Sequence, residues 1–257
     1  MSKLTTVNYW QATIQSRSDK PKSFPLLDDI APYLPTQPGA ALLEIGCAPG
    51  HTLAEVCSRH DYEAHGVEYA SDPAGIEAIL RSRGVRLGRI DRADFFAWSP
   101  GRKYDVVASF GFVEHFDSVA DVVDRHFDLV KPGGLVVVSF PNFAGGQKVL
   151  HWLFDRENLK RHNTTCMNLP FLQAVAARNN AEILCARYTG GQYAFFYEEQ
   201  RRAYLAKVTR KMVHWTLRHI SKRAFDWIWP QGVNPLFSPY LIAVYRAPSA
   251  STTLRNP

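Results

Sequence analysis

Residues 40–50 read Ala-Ala-Leu-Leu-Glu-Ile-Gly-Cys-Ala-Pro-Gly, so that an apolar run closes on an acid, Glu44, and enters a turn carrying Gly46 and Gly50. Glycines at such a turn let the backbone reverse sharply and let a ligand approach it closely. Three nucleotide chemistries compete for the turn. A phosphate-gripping loop needs Lys and then Ser or Thr after its last glycine, whereas Gly50 is followed by His51 and Thr52. A dinucleotide loop wants glycine at three positions, and this chain offers Gly46, Ala48 and His51 there. The carboxylate of Glu44 also repels a pyrophosphate and suits a ligand with a cationic amino group.

S-adenosylmethionine has that character, with an α-amino group, a sulfonium and no phosphate. The stretch Glu44-Ile45-Gly46-Cys47-Ala48-Pro49-Gly50 resembles the first motif of the class I S-adenosylmethionine-dependent methyltransferases, with Ala48 at the family's middle glycine. Later segments follow in the family's order. A second strand-like stretch, Ala64 to Val67, ends at Glu68, placed to grip a ribose diol and followed by Tyr69. Asp91-Arg92-Ala93-Asp94-Phe95-Phe96 resembles the adenine-recognition stretch, with Asp94 as the carboxylate and Phe95 as the covering aromatic; Asp91, one turn away, can exchange roles with Asp94. Tyr104 to Phe110 reads as a fourth strand, followed by the pair Glu114-His115, and Lys131-Pro132-Gly133-Gly134 leads into a fifth strand ending at Pro141-Asn142. The resemblance covers residues 40–142 and implies a cofactor site built from Glu44, Gly46, Cys47, Ala48, Gly50, Glu68, Tyr69, Asp94, Phe95 and Phe110. Against these stand plain readings: Glu44 as a capping or solvated acid, Cys47 as a small packing residue.

Methyl transfer to an alcohol requires in-line alignment and removal of the hydroxyl proton. His115 is the first candidate base, with His162 and His151 behind it. The competing readings are that His115 only hydrogen-bonds its loop and that His151, beside Trp152 on a helix, is packed. Some ubiquinone-pathway O-methyltransferases look similar here and use an acid three residues before the Glu-His pair to hold magnesium. Gly111 stands at that place, and no metal is expected.

The elements that must position these residues are those of an α/β fold, a Rossmann-like doubly wound sheet, mostly parallel, with an antiparallel last strand and a helical insertion between the last two strands. A leader over residues 1–38 places Tyr9 and Trp10 on a short helix and a second helix over Phe24 to Leu34, punctuated by prolines, and would close over the cofactor pocket. The core spans 39–190. Val119, Val122, Val123, Phe127 and Val130 give an amphipathic helix over Ser118 to Val130. Asn168 caps a helix that stops at Asn179-Asn180, and the last two strands are Ala181 to Tyr188 and Tyr240 to Arg246, the latter within a final core segment over 237–247, with a flexible tail over 248–257.

Between those strands, residues 191–236 carry eight Lys or Arg against three acids, most of the chain's net charge of +6. Lys207, Lys211, His214, Arg218 and Lys222 share one helical face, and aromatic residues crowd the segment. This composition suits a solvated lid over a saccharide or lipid-linked acceptor, or contact with an anionic membrane; nucleic acid is the weaker reading, and a scaffold protein docking a membrane or partner is the alternative to an enzyme. Hydrophobic content of 46% and 21% charge are those of a globular enzyme. With no apolar run to span a bilayer, no signal-peptide core in Met1 to Ile14, and Cys47, Cys57, Cys166 and Cys185 unpaired in spacing, a cytoplasmic protein with reduced thiols is expected, peripheral to the membrane at most.

Overall fold

The structure, a computed structural model, describes residues 2–17, 24–190, 212, 215–216 and 232–249. Its strands are β1 (Ala41–Ile45), β2 (Glu63–Glu68), β3 (Leu87–Arg92), β4 (Tyr104–Phe110), β5 (Val130–Pro141), β6 (Glu182–Thr189) and β7 (Tyr240–Arg246). They form one sheet in the order β3-β2-β1-β4-β5-β7-β6. The pairs from β3 through β5 are parallel, and β7 runs antiparallel to both β5 and β6. The expected α/β doubly wound sheet with an antiparallel last strand is therefore what forms, with β7 slotted inside β6 rather than at the edge.

Strand β1 is buried along its whole length, the property of a central parallel strand covered on both faces. Its side chains alternate between two cores. Ala41, Leu43 and Ile45 face the cluster under helices α5 (Val119–Leu129) and α8 (Leu169–Arg178), while Leu42 faces the cluster under α3 (His51–His60) and α4 (Pro73–Ser82). Caps fix where these helices begin. Asp72 accepts from the amide of Ala74 ahead of Pro73, and Asn168 accepts from the amide of Phe171.

The leader forms α1 (Val7–Arg17), a single turn α2 (Leu27–Ile30) and a 3-10 turn over Ala31–Tyr33. The second helix expected over Phe24 to Leu34 is thus two short pieces, because Pro32 cannot continue the hydrogen bonding of the first. After β5 come α6 (Gly145–Phe154) and α7 (Arg156–Lys160), which sit over the carboxyl end of the sheet and are tied to the stretch before β7. There Asn142 Nδ2 donates to the carbonyls of Pro235 and Ser238, and Gln147 Nε2 donates to that of Phe237. Most of the basic aromatic segment, including Lys207, Lys211, His214, Arg218 and Lys222, and residues 250–257 lie outside the described residues. No helix among the described residues is long and apolar enough to cross a membrane.

The chain order reverses between β1 and β4: from β1 the sheet grows through β2 and β3 on one side and through β4 and β5 on the other. A crevice opens outside the carboxyl ends of the strands at such a point. Gly46, Glu68 and Gly111 stand at the ends of β1, β2 and β4 around that crevice.

Candidate active site

A cavity of about 280 Å³ occupies this crevice. Gly46, Ala48, Glu68, Tyr69, Asp94, Phe95, Phe110 and His115, all singled out in the sequence, line it. Gly46 adopts φ +73°, and a Cβ there would lie 2.9 Å from Phe112 Cδ2, so glycine is required by both backbone and space. Glu68 holds the turn from the side: Oε2 accepts from the amide of Ala48 at 3.3 Å and Oε1 from that of Ala70 at 2.7 Å. A carboxylate offers about four acceptor sites, so Glu68 retains capacity for a diol.

Asp94, not Asp91, faces the cavity. Asp91 is spent on Arg89 and on the indole of Trp98, whereas Asp94 accepts from the amide of Phe96 and pairs with Lys3 Nζ at 2.6 Å. Burial works against ionisation of Asp94, but the hydrogen bond and charge of Lys3 and the Phe96 amide outweigh it and hold the carboxyl below its usual range. The ring of Phe95 is buried and packs edge-on against Phe96, Phe112 and His126, so it lines the floor of the cavity as part of the core.

Three of the residues assigned to the cofactor lie behind the wall of the cavity. Glu44 is buried beneath the turn, where desolvation and then the charge of Glu68 push its carboxyl up to about 8. It does not reach the cavity, because a strand residue at this register points into the layer under the loop. The thiol of Cys47 is also buried, fitting against Gly66, where a Cβ would come within 2.4 Å of its sulfur. Its pKa is raised by the same burial. Gly50 starts α3 at φ +107° with Ile76 packed on it.

A second cavity of about 230 Å³ adjoins the first, and Trp10, Phe110, Gly111 and His115 line both. Its polar lining also includes Glu114, His162, Ser139 and Tyr240. His115 and His162 stand with ring centroids 4.5 Å apart. The carbonyl of Arg161 lies 2.7 Å from His115 Nδ1 and that of Asn158 lies 2.7 Å from His162 Nδ1. A carbonyl only accepts, so both Nδ1 atoms carry the proton, and a neutral imidazole held this way has its lone pair on Nε2. Burial lowers the pKa of His162 to about 4 and raises that of Glu114 to about 8. His151 is not brought into either cavity: it is fully buried, its ring tilted against that of Phe143 with centroids 4.0 Å apart and its Nδ1 3.3 Å from Asp155.

Lys3, Thr6 and Trp10 of the leader line the first cavity, although none of them carries a motif. Leu4 donates its amide to the carbonyl of His115, Lys3 bridges to Phe116, and the Trp10 ring meets that of His115 at 4.8 Å. Only the aromatic pair Tyr9-Trp10 marked this segment in the sequence.

The family described as a methyltransferase domain matches residues 19–186. The chain belongs to this family. Its cofactor is S-adenosylmethionine, and the crevice lined by the glycine turn, Glu68 and Asp94 offers that molecule two carboxylates and a close-approach backbone turn. Among curated proteins the chain is similar to a trans-aconitate 2-methyltransferase of Methylobacterium radiotolerans, 27% identical over 136 residues that cover 52% of this chain and 50% of that protein. It is also similar to a ubiquinone biosynthesis O-methyltransferase of Bradyrhizobium, 29% identical over 129 residues covering 45% and 49%. The chain thus spans about half the length of the curated relatives it matches. Among solved structures, a methyltransferase from Thiobacillus denitrificans in complex with S-adenosyl-L-homocysteine superposes with a TM-score of 0.58 at 14% identity, covering 93% of this chain and 98% of that one, which shows a shared fold.

Proposed function

We propose that this chain methylates a hydroxyl of a small-molecule acceptor, with S-adenosylmethionine in the first cavity and the acceptor in the second. The observation that carries this reading is the position of His115, which lines both cavities at their junction. S-adenosylmethionine supplies an electrophilic methyl carbon bonded to a sulfonium. Gly46, Glu68 and Asp94 hold the donor, the aromatic walls of Trp10 and Phe110 exclude water, and His115 presents its Nε2 lone pair where an acceptor hydroxyl would lose its proton. The names of the matched relatives, which act on trans-aconitate and in ubiquinone biosynthesis, support a small molecule. A saccharide or lipid-linked acceptor would use the same junction while extending from the cavity.

Two measurements test the reading. Calorimetric titration with S-adenosylhomocysteine should give saturable binding that weakens in Glu68→Ala. Transfer of a labelled methyl group to a panel of hydroxylated acids, phenols and saccharides should then be lost in His115→Ala while cofactor binding persists. Full turnover of that variant would remove His115 from the chemistry, and absence of cofactor binding in the unaltered protein would remove the reading itself.

A further inference from the structure

Asn158, on the short helix α7, lines the second cavity, is 2% exposed, and has a side-chain Nδ2 with no hydrogen-bond partner. Its backbone is anchored: the Asn158 carbonyl accepts from His162 Nδ1 at 2.7 Å and from the amide of Arg161 at 3.1 Å. A buried donor left unpaired is destabilising, and a ligand oxygen that meets it removes that penalty. The rest of the wall is flat and apolar. Tyr9, Trp10, Phe24, Phe110 and Phe140 line the same cavity, with the rings of Phe24 and Phe110 packed at 4.6 Å between centroids. The cavity holds about 230 Å³. Benzene occupies an engineered apolar cavity of about 150 Å³, and drug-sized ligands need about 300–1,000 Å³. A single ring with small substituents fits between those limits.

We propose that Asn158 is a specificity-determining residue of the acceptor site, its Nδ2 donating to a carbonyl-type oxygen carried by a one-ring acceptor that lies among these aromatic walls. The inference rests on the reading that the second cavity takes the acceptor. Aromatic walls bury a ring and set its plane, but they do not distinguish one position on that ring from another. Orientation comes from the few polar groups of such a pocket. Two points then fix the ring: the reacting hydroxyl at the junction of the two cavities, and the second oxygen at Asn158. A site built around a buried polar group rejects an analogue lacking its partner much more strongly than an apolar pocket rejects a missing methylene, because the group is left unpaired. Asn158 moves neither the proton nor the methyl group, so its part is selection and orientation. It lies beyond the glycine turn and the strand ends that carry the cofactor motifs, on a helix placed by long-range packing.

The test uses the full chain in the presence of S-adenosylhomocysteine, titrated by calorimetry with the hydroxyacetophenone isomers. Each is compared with the ethylphenol of the same substitution pattern, which keeps the size of the side group and lacks the carbonyl oxygen. One hydroxyacetophenone should bind about tenfold tighter than its ethylphenol, the scale of one hydrogen bond to an otherwise unpaired buried donor. In Asn158→Leu that preference should vanish while the ethylphenol binds as it does to the unaltered protein, whereas a purely structural role would weaken both ligands alike. Asn158→Asp, which keeps the shape and replaces the donor with an acceptor, should lose the preference too and serves if circular dichroism shows the Leu variant unfolded. Equal binding within every pair, no binding of any of these rings to the unaltered protein, or an undiminished preference in a folded variant overturns the assignment. Binding of S-adenosylhomocysteine in the same calorimeter separates the two readings: cofactor product bound without any ring overturns the role of Asn158 alone, and a carbonyl preference without cofactor-product binding overturns the methyl-transfer reading alone.

Discussion

Lys3 Nζ lies 2.6 Å from Asp94 Oδ2 and 4.7 Å above the ring of Tyr69, so the leader places a cation against the carboxylate assigned to the adenine amine. The leader therefore competes with, or shares, one end of the cofactor site. The pair is a third exposed on both sides, which limits its worth to folding to about 0–1 kcal/mol. Lys3→Met should accordingly change unfolding free energy by less than about 1 kcal/mol while leaving S-adenosylhomocysteine affinity unchanged or tighter. Asp94→Asn should weaken that affinity by roughly tenfold, the scale of one charged hydrogen bond. Calorimetry on both variants checks the pair, and weaker binding in Lys3→Met would show that the ammonium helps hold the cofactor.

Glu68 supports the glycine turn as well as facing the cavity. Because its two oxygens accept from the amides of Ala48 and Ala70, Glu68→Gln sets an amide N–H against a backbone donor. Cofactor affinity should fall by about 1–3 kcal/mol, roughly fivefold to 150-fold. The melting temperature should fall too, since the turn loses a support even without ligand, and differential scanning calorimetry of the ligand-free variant reads that part separately.

At Gly46 the requirement is steric as well as conformational. Gly46→Ala puts a Cβ 2.9 Å from the Phe112 ring at a φ of +73°. The left-handed conformation costs roughly 1–2 kcal/mol for alanine, and Phe112 must also shift. A melting temperature lower by about 2–4 °C per kcal/mol is expected for a chain of this size, together with weakened cofactor binding.

Stability should also depend on pH through Glu44. Its carboxyl titrates at about 8 in the folded protein, above the usual carboxylate range, because it is buried and faces the charge of Glu68. Between that usual range and about pH 8 the folded state binds more protons than the unfolded state, so stability falls as pH rises through the window. Glu44→Gln removes this penalty. Relative to the unaltered protein it should gain about 1–3 kcal/mol at pH 8 and little near pH 5, measured by urea unfolding at both. An equal gain at the two pH values would place its origin in packing and not in ionisation.

Much of the architecture can be read along the chain because its signals are local. The alternation that sends Leu42 to one core and Leu43 to the other, the cap at Asn168 and the glycine turn after β1 each depend on a few neighbouring residues. The prolines of the leader are local as well, and Pro32 divides the helix expected over Phe24 to Leu34 into two short pieces.

The sequence by itself determined the doubly wound sheet and the family of its cofactor, because spacing along the strands dictates which residues reach their carboxyl ends. Tertiary structure decided which candidate faces a ligand. Asp91 and Asp94 differ only in what packs beside them, Trp98 or open crevice, and Glu44 points beneath the loop that it precedes. Both His151 and His162 pack against Phe143, and folding set only His162 in the wall of the second cavity, beside His115. Their fates depend on where the α6 and α7 segment lands on the end of the sheet, a long-range packing outcome that no local pattern encodes.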